Sequence, residues 1–233
     1  MALPNYYVQV GEQAIASYDF YDLATRIGYK KFYGCAQYNS SDTASTAPAA
    51  MTNSTAYFLA VDTVQSDPIY TPHTGTPLNG TWSNAIDIDF DLIFSNPQII
   101  SGDAFINATV QVTDAGLNGD LYVTTKYFIR HYDGSTETDL GSGFGRYEYT
   151  NETTEVHRDC VKINIPLTKF KVGDRLRVTA QVIWASNHAT PNDKSCLIYH
   201  DPANRMETGS VDLPTGAKAD TDFVVYVPFK IDL

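Results

Sequence analysis

Hydrophobic and polar positions alternate along much of this chain. The clearest case is the segment 84–94, where five apolar side chains alternate with three aspartates: Ile86, Asp87, Ile88, Asp89, Phe90, Asp91, Leu92 and Phe94. Successive side chains of a β-strand point to opposite faces of a sheet, so the pattern predicts a strand with one buried and one polar face. A slip of one residue would expose the whole apolar set, and the pattern therefore also fixes the register.

The alternation returns often enough to predict a fold class. It predicts further strands at 57–64, 99–113, 121–130, 137–149, 160–167, 175–184, 196–199 and 223–231. Short strands separated by turn-forming residues are typical of an all-β, antiparallel β-sandwich. The length of the strands and of their connections favours a jelly-roll-like arrangement with an N-terminal arm.

Composition changes once along the chain, near residue 82. Residues 1–82 are predicted to form an N-terminal arm and loops that pack on the core, whereas residues 83–233 form the β-sandwich core. The length of 233 residues fits one domain overall. The arm is rich in aromatic residues, which suit either a neighbouring subunit or the chain's own core. The predicted interface residues are Tyr18, Phe20, Tyr21, Tyr29, Phe32 and Tyr33.

Charge and hydropathy exclude several partners. The net charge is −11, and the longest basic run is Lys30-Lys31. Nucleic-acid binding needs a basic face that neutralises phosphates, so we expect no nucleic-acid partner and no binding to anionic membranes. The first residues lack the basic and apolar regions of a signal peptide, and no apolar run reaches the ~20 residues that span a bilayer. We therefore expect synthesis in the cytoplasm and no membrane partner.

The predicted strand at 84–94 offers the first candidate metal ligands, Asp87 and Asp89. Calcium is the ion that such carboxylates suit. Alternate residues of a strand lie ~6.6 Å apart, which is too far for a row of aspartates to hold one calcium ion closely. A solvated acidic face, or cross-strand pairs with Arg175 or Arg177, is the simpler interpretation.

The loop at 114–120 offers two further candidates, Asp114 and Asp120. The loop lacks the glutamate that completes an EF-hand, so a plain turn is the simpler interpretation here as well. The sequence therefore predicts no cofactor, with calcium as the one ion that these four carboxylates could take.

No catalytic constellation accompanies the strands. The segment 141–145 places glycines around Ser142, but it lacks both a strand-to-helix elbow and the Gly-Lys-Ser/Thr of a phosphate loop, and a glycine-rich bulge explains it better. His200 ends a predicted strand, where it could serve a metal or a reaction, yet a surface or half-buried histidine is the simpler interpretation. We therefore expect no catalytic residues and no enzyme activity.

Aromatic residues outside the predicted core face suggest a binding surface. They could form a platform for sugars, or they could form a subunit interface, where tyrosine is enriched. The interface is favoured, but the sequence alone leaves both open. These residues are Tyr122, Phe128, Tyr132, Tyr147 and Tyr149.

Three stretches resemble a known class of proteins. They are residues 16–34, residues 86–102 with their Ile-Asp-Ile-Asp-Phe-Asp-Leu start, and residues 227–233. Together they resemble virion structural proteins of tailed viruses, such as capsid decoration and minor capsid proteins. The resemblance implies a capsid decoration, minor capsid or fibre-like component of the virion, made in the host cytoplasm. It would act by assembly, as a homo-trimer or lattice, with other virion proteins. The alternative is a carbohydrate-binding, lectin-like attachment module with a glycan partner.

Overall fold

The structure is a computed structural model that describes residues 27–38, 55–63, 66–114, 120–150, 154–188, 193–205 and 220–230. The strands in these ranges are β1 (Ile27–Tyr38), β2 (Thr55–Ala60), β3 (Tyr70–Gly75), β4 (Ser83–Ile93), β5 (Gln98–Thr113), β6 (Leu121–Tyr132), β7 (Glu137–Thr150), β8 (Thr154–Phe170), β9 (Arg175–Ser186), β10 (Lys194–Tyr199) and β11 (Val224–Lys230). The described ranges contain no helix, which confirms the all-β prediction, and hence none that could cross a membrane.

The eleven described strands belong to one sheet. Their order is β3-β10-β5-β11-β1-β2-β4-β9-β6-β7, and β8 pairs with β5 beside this path. The contact between β2 and β4 is parallel, and the other pairs are antiparallel. The sheet is therefore mixed and continuous, so the predicted antiparallel sandwich of jelly-roll type is not confirmed.

Strand β1 lies inside the sheet, although the sequence places it in an arm. Tyr33 pairs with Val224 of β11, and Ala36 pairs with Tyr57 of β2. Both edges of β1 are thus hydrogen-bonded, and residues 27–38 form an interior strand of the sheet. The rest of the predicted arm before β1 lies outside the described residues, and the boundary at residue 82 stays a prediction.

The alternating pattern of β4 produces the expected two faces. Ile86, Ile88 and Phe90 are buried, whereas Asp87 is exposed. Each fully buried side chain of this size contributes about 1.5–3 kcal/mol. Because β5, β6 and β9 alternate in the same way, their apolar faces join that of β4 in one hydrophobic core.

The glycine-rich segment 141–145 belongs to β7, which runs closely across β8. A Cβ atom on Gly141 would lie 2.7 Å from the backbone oxygen of Asn164, and one on Gly143 would lie 2.6 Å from Val161. The register of β7 against β6 shifts at both ends of this segment, between Asp139 and Gly141 and between Phe144 and Tyr147, which agrees with the predicted bulge. The glycines therefore allow the backbone of β7 to approach β8 more closely than a residue with a Cβ atom would permit.

Distant parts of the sheet face one another across the core. The Tyr127 hydroxyl of β6 donates to Asp159 of β8 at 2.7 Å. The rings of Phe90 in β4 and Phe223 beside β11 stack with centroids 4.6 Å apart. These contacts place β6 opposite β8, and β4 opposite the residue before β11, across the core.

Candidate binding faces and buried polar clusters

The acidic row of β4 forms a ladder with β9. Each aspartate accepts a hydrogen bond from the β9 residue directly opposite, so the row is paired across the strands. The pairs are Gln181 with Asp87 at 2.9 Å, Thr179 with Asp89 at 2.5 Å and Arg177 with Asp91 at 2.7 Å.

Asp91 is the best-paired member of the ladder. Arg177 donates to both of its oxygens, and Arg175 adds a contact at 3.0 Å. The hydrogen bonds to Asp91 raise the pKa of Arg177 above its usual range. The cross-strand pairing with these arginines agrees with the simpler interpretation of the sequence, since charged pairs of this kind fix the register of adjacent strands.

The four candidate calcium ligands lie at separate places. Asp87 and Asp89 belong to the ladder, Asp114 is buried in an ion pair with Lys194, and Asp120 contacts the side chain of Asn187. Within the described ranges no three His, Cys, Asp or Glu side chains are grouped so that they could hold a metal ion. Calcium binding stays an untested prediction.

A buried polar cluster lies where β7 crosses β8, and the sequence did not indicate it. The carboxylate of Asp159 accepts hydrogen bonds from the hydroxyls of Tyr127 and Thr125 and from the backbone N–H of Arg146. The bulge in β7 turns this N–H toward the carboxylate. Three donors therefore compensate the burial of one acidic side chain, as buried polar groups require.

His157 lies between two carboxylates in this cluster. Its Nδ1 is 3.8 Å from Glu148 and its Nε2 is 3.7 Å from Asp159, and both nitrogens are buried without a hydrogen bond. Burial lowers the pKa of His157, while Asp159 acts in the opposite direction. The side chains of all three residues are at most 8% exposed, so the cluster offers no open surface to a substrate.

His200 is fully buried rather than half-buried or exposed. Its Nδ1 lies 3.2 Å from the Ser66 hydroxyl and its Nε2 lies 3.0 Å from the Thr71 hydroxyl. The rings of Tyr57 and Phe90 meet it edge-on. Burial lowers the pKa of His200 to about 3, so this histidine is neutral and fixes the connection that precedes β3.

The outward face of β6 and β7 carries a cluster of aromatic rings, here called the aromatic patch. It consists of Trp82, Tyr122, Tyr147 and Tyr149. Tyr122 lies 6.2 Å from Tyr147 and 5.4 Å from Tyr149 between ring centroids, and Trp82 lies 6.1 Å from Tyr147. The structure thus brings together three tyrosines that the sequence placed outside the core, and it adds Trp82.

Polar side chains border the aromatic patch. Asn187 donates to Asp120 and, at 3.4 Å, to the Tyr122 hydroxyl. The hydrogen bond with Asp120 raises the pKa of Tyr149. Asp120, a predicted metal ligand, is therefore the carboxylate at the rim of an aromatic surface.

The other two aromatic residues that the sequence placed outside the core, Phe128 and Tyr132, lie among cations. Lys126 and Arg130 both lie over the ring of Phe128, at 4.5 and 4.4 Å from its centroid. Arg177 lies 5.1 Å from the centroid of Tyr132. These rings are covered by cation–π contacts, and they are less available to a ligand than the aromatic patch.

The described interface candidates all lie on β1, but they differ in exposure. Tyr29 is 45% exposed and its ring lies 6.0 Å from that of Phe105 on β5. Tyr33 is half-buried and accepts a hydrogen bond from Lys31 at 2.6 Å. Phe32 points the other way and is 1% exposed, so its side chain belongs to the core and has no surface for a neighbouring subunit. Tyr18, Phe20 and Tyr21 lie outside the described residues.

No protein-family model matches this chain, and a search of curated proteins gave no match. Among solved structures, a CocE/NonD family hydrolase from Staphylococcus aureus is 13% identical over 87% of this chain, with a TM-score of 0.42. An aminopeptidase from a marine-sediment Thaumarchaeota archaeon is 8% identical over 86%, with a TM-score of 0.45. The chain spans 37% of the length of each of these two proteins.

A capsid protein is also among the matched structures. The VP2 subviral particle of infectious bursal disease virus is 9% identical over 88% of this chain and 57% of its own, with a TM-score of 0.32. At these scores the likenesses assign neither a reaction nor a partner to the chain. They do contradict the expectation that the chain is not an enzyme, because hydrolases and an aminopeptidase are among the matches. That expectation is withdrawn.

Proposed function

We propose that this chain is a virion structural protein that acts by assembly, as a capsid decoration, minor capsid or fibre-like component. The observation that carries the proposal is an outward aromatic row on β1 and its neighbours. It is here called the β1 row and consists of Tyr29, Tyr33, Phe105 and Tyr226.

The β1 row has the chemistry of a contact surface. The rings of Tyr29 on β1 and Phe105 on β5 are in contact over the intervening strand β11, and Lys31 lies 4.3 Å from the centroid of Tyr33. Tyrosine is enriched at protein interfaces because its ring is apolar and its hydroxyl can remain solvated. The hydrogen-bonded neighbours on both sides of β1 make this surface rigid, so association would order few additional groups.

The proposed architecture is a two-layer, jelly-roll-like sandwich formed by one continuous sheet that folds over itself. Contacts across the core support it, since Tyr127 of β6 bonds to Asp159 of β8 and Phe90 of β4 stacks on Phe223. In such an arrangement the β1 row faces away from the core. The setting of a virus particle rests on the resemblance of residues 16–34, 86–102 and 227–233 to virion proteins.

Mass photometry of the purified chain at micromolar concentration tests the proposal. We expect a defined oligomer, most simply a trimer, which dissociates when Tyr29 and Tyr33 are both replaced by serine. The matched control is Phe144→Ser, which changes an exposed aromatic residue of β7 outside the row. Circular dichroism and thermal unfolding would show that each variant is folded.

Two results would overturn the proposal. One is a strict monomer at every concentration, and the other is an oligomer that the paired substitution of Tyr29 and Tyr33 leaves intact. Because hydrolases are among the matched structures, the same preparations should be incubated with p-nitrophenyl esters and aminoacyl p-nitroanilides. Hydrolysis of these substrates by a strictly monomeric chain would indicate that the protein acts as a catalyst and not by assembly.

A further inference from the structure

The aromatic patch on β6 and β7 has the size and the chemistry of a small ligand site. We propose that it binds a neutral carbohydrate, whose sugar rings stack on Tyr147 and Tyr149 and whose hydroxyl groups donate to Asp120. This inference goes beyond the proposed assembly function. It concerns another surface, since β2, β4 and β9 separate the patch from β1 in the sheet.

Three rings of the patch are exposed and each also contacts a neighbouring ring. Trp82 is 46% exposed, Tyr147 is 56% exposed and Tyr149 is 49% exposed, although each has a ring neighbour within 6.2 Å. One face of a pyranose presents C–H groups, which pack well on an aromatic ring. Tyrosine and tryptophan provide such area at a small entropic cost because they have only two side-chain torsions.

The rim supplies the directional contacts that a sugar needs. A carboxylate has about four acceptor sites, and among the described residues the side chains of Asn187 and Tyr149 occupy two of those of Asp120. The remaining sites can accept from the hydroxyl groups of a sugar that lies on the neighbouring rings. A small number of polar groups beside an apolar surface is the usual composition of a small-molecule site.

The exposed area of the patch matches one or two sugar rings. A fully buried aromatic side chain removes about 150–250 Å² from water. The three half-exposed rings of Trp82, Tyr147 and Tyr149 therefore offer roughly 300 Å² to a ligand.

Charge selects a neutral sugar over an anionic one. The chain carries a net charge of −11 and the rim carboxylate belongs to Asp120. The exposed guanidinium of Arg146, also on β7, is already paired with Glu148. Sulfated or sialylated glycans would meet repulsion from Asp120 at the rim of the patch, because like charges at close range oppose binding.

The test is a fluorescence titration, because the two tryptophans differ in exposure. Trp82 belongs to the patch, whereas Trp184 is 2% exposed. Cellohexaose, maltohexaose and chitohexaose are the neutral probes, and a heparin hexasaccharide and a proline-rich peptide are the competitors. We expect a saturable change in tryptophan emission with at least one neutral probe, and its loss in Trp82→Phe although calorimetry still detects binding.

Substitutions then locate the site. Tyr147→Ala and Asp120→Ala should each weaken binding by about tenfold or more, as expected for a central contact. Phe144→Ala removes an equally exposed ring of the same strand, and it should leave the affinity unchanged within about twofold. The unfolding midpoint of each variant shows whether it has folded.

Three outcomes would overturn the inference. They are the absence of saturable binding to all three neutral probes at millimolar concentration, wild-type affinity in Tyr147→Ala, and tighter binding of the heparin hexasaccharide or the proline-rich peptide. None of them bears on the assembly of the chain, because the substitutions leave the β1 row unchanged.

Discussion

Acidification should destabilise this protein through His200, and the substitution His200→Gln should remove that effect. The imidazole is fully buried between the hydroxyls of Ser66 and Thr71, and burial lowers its pKa to about 3. In the unfolded chain a histidine titrates near 6.5. Between these two pKa values the histidine is protonated in the unfolded chain, whereas His200 stays neutral in the native protein.

The sign and the size of the effect follow from this difference. Where the unfolded state binds one more proton, the free energy of unfolding falls by about 1.4 kcal/mol for each pH unit of acidification. Lowering the pH from 7.5 to 4.5 therefore removes about 2.5 kcal/mol that neutral His200 contributes to the free energy of unfolding. This contribution is fully present above the pKa of the histidine in the unfolded chain. His73 and His157 also have lowered pKa values through burial, so they add to the loss with the same sign.

Urea unfolding, followed by tryptophan fluorescence at intervals between pH 7.5 and pH 4.5, measures the slope. This slope is the change in the free energy of unfolding with pH. His200→Gln should reduce it by the equivalent of about one proton, whatever the stability of the variant at neutral pH. Thr71→Val is the matched control, because it removes a hydrogen-bond partner but keeps the titrating ring, and its slope should equal that of the wild type. An unchanged slope in His200→Gln would refute the reasoning.

Two further predictions concern the crossing of β7 and β8. Gly141→Ala should cost about 1–3 kcal/mol in urea unfolding, because its Cβ would lie 2.7 Å from a backbone oxygen, whereas Ser142→Ala on the exposed side should be nearly neutral. Equal stability of these two variants would contradict the close packing. Asp159→Ala should cost about 3–5 kcal/mol, because it leaves three buried donors without an acceptor, and Tyr127→Phe, which removes one donor, should cost less. The reverse order would contradict the proposed role of the carboxylate.

Sequence periodicity located the strands that have one apolar and one polar face. The predicted segments 84–94 and 175–184 correspond to β4 and β9, because their buried residues recur at every second position. The turn that joins β6 and β7 contains Asp133-Gly134, a dipeptide typical of hairpins. The sequence therefore predicts a strand wherever the burial of one face alone determines the residue type.

Sequence periodicity did not predict strands, or parts of strands, that carry polar residues in buried positions or a proline. β8 begins at Thr154 instead of residue 160, because His157 and Asp159 point inward and interrupt the apolar row. β3 lies in a proline- and glycine-rich stretch for which the sequence predicts no strand. Its Pro72 is tolerated because β3 pairs on one side only, with β10. The sequence did not predict the single continuous sheet either, because strand order depends on contacts between residues that are distant along the chain.

The candidate sites were accessible only in part. The sequence placed Tyr122, Tyr147 and Tyr149 outside the core, but their proximity depends on the register of β6 and β7. Trp82 joins them from another part of the chain. The buried cluster around Asp159 depends on a bulge and on a crossing of strands, which no local pattern encodes.

The position of β1 has a consequence for biosynthesis. Its partner in β11 follows about 190 residues later, since Tyr33 pairs with Val224. While the ribosome is still translating, β1 and β5 both lack the strand that lies between them in the native sheet. Such unpaired edges can join those of other nascent chains. We therefore expect that slower or cooler expression raises the soluble yield, and that chaperones which shield strand edges act on this protein until β11 has been made.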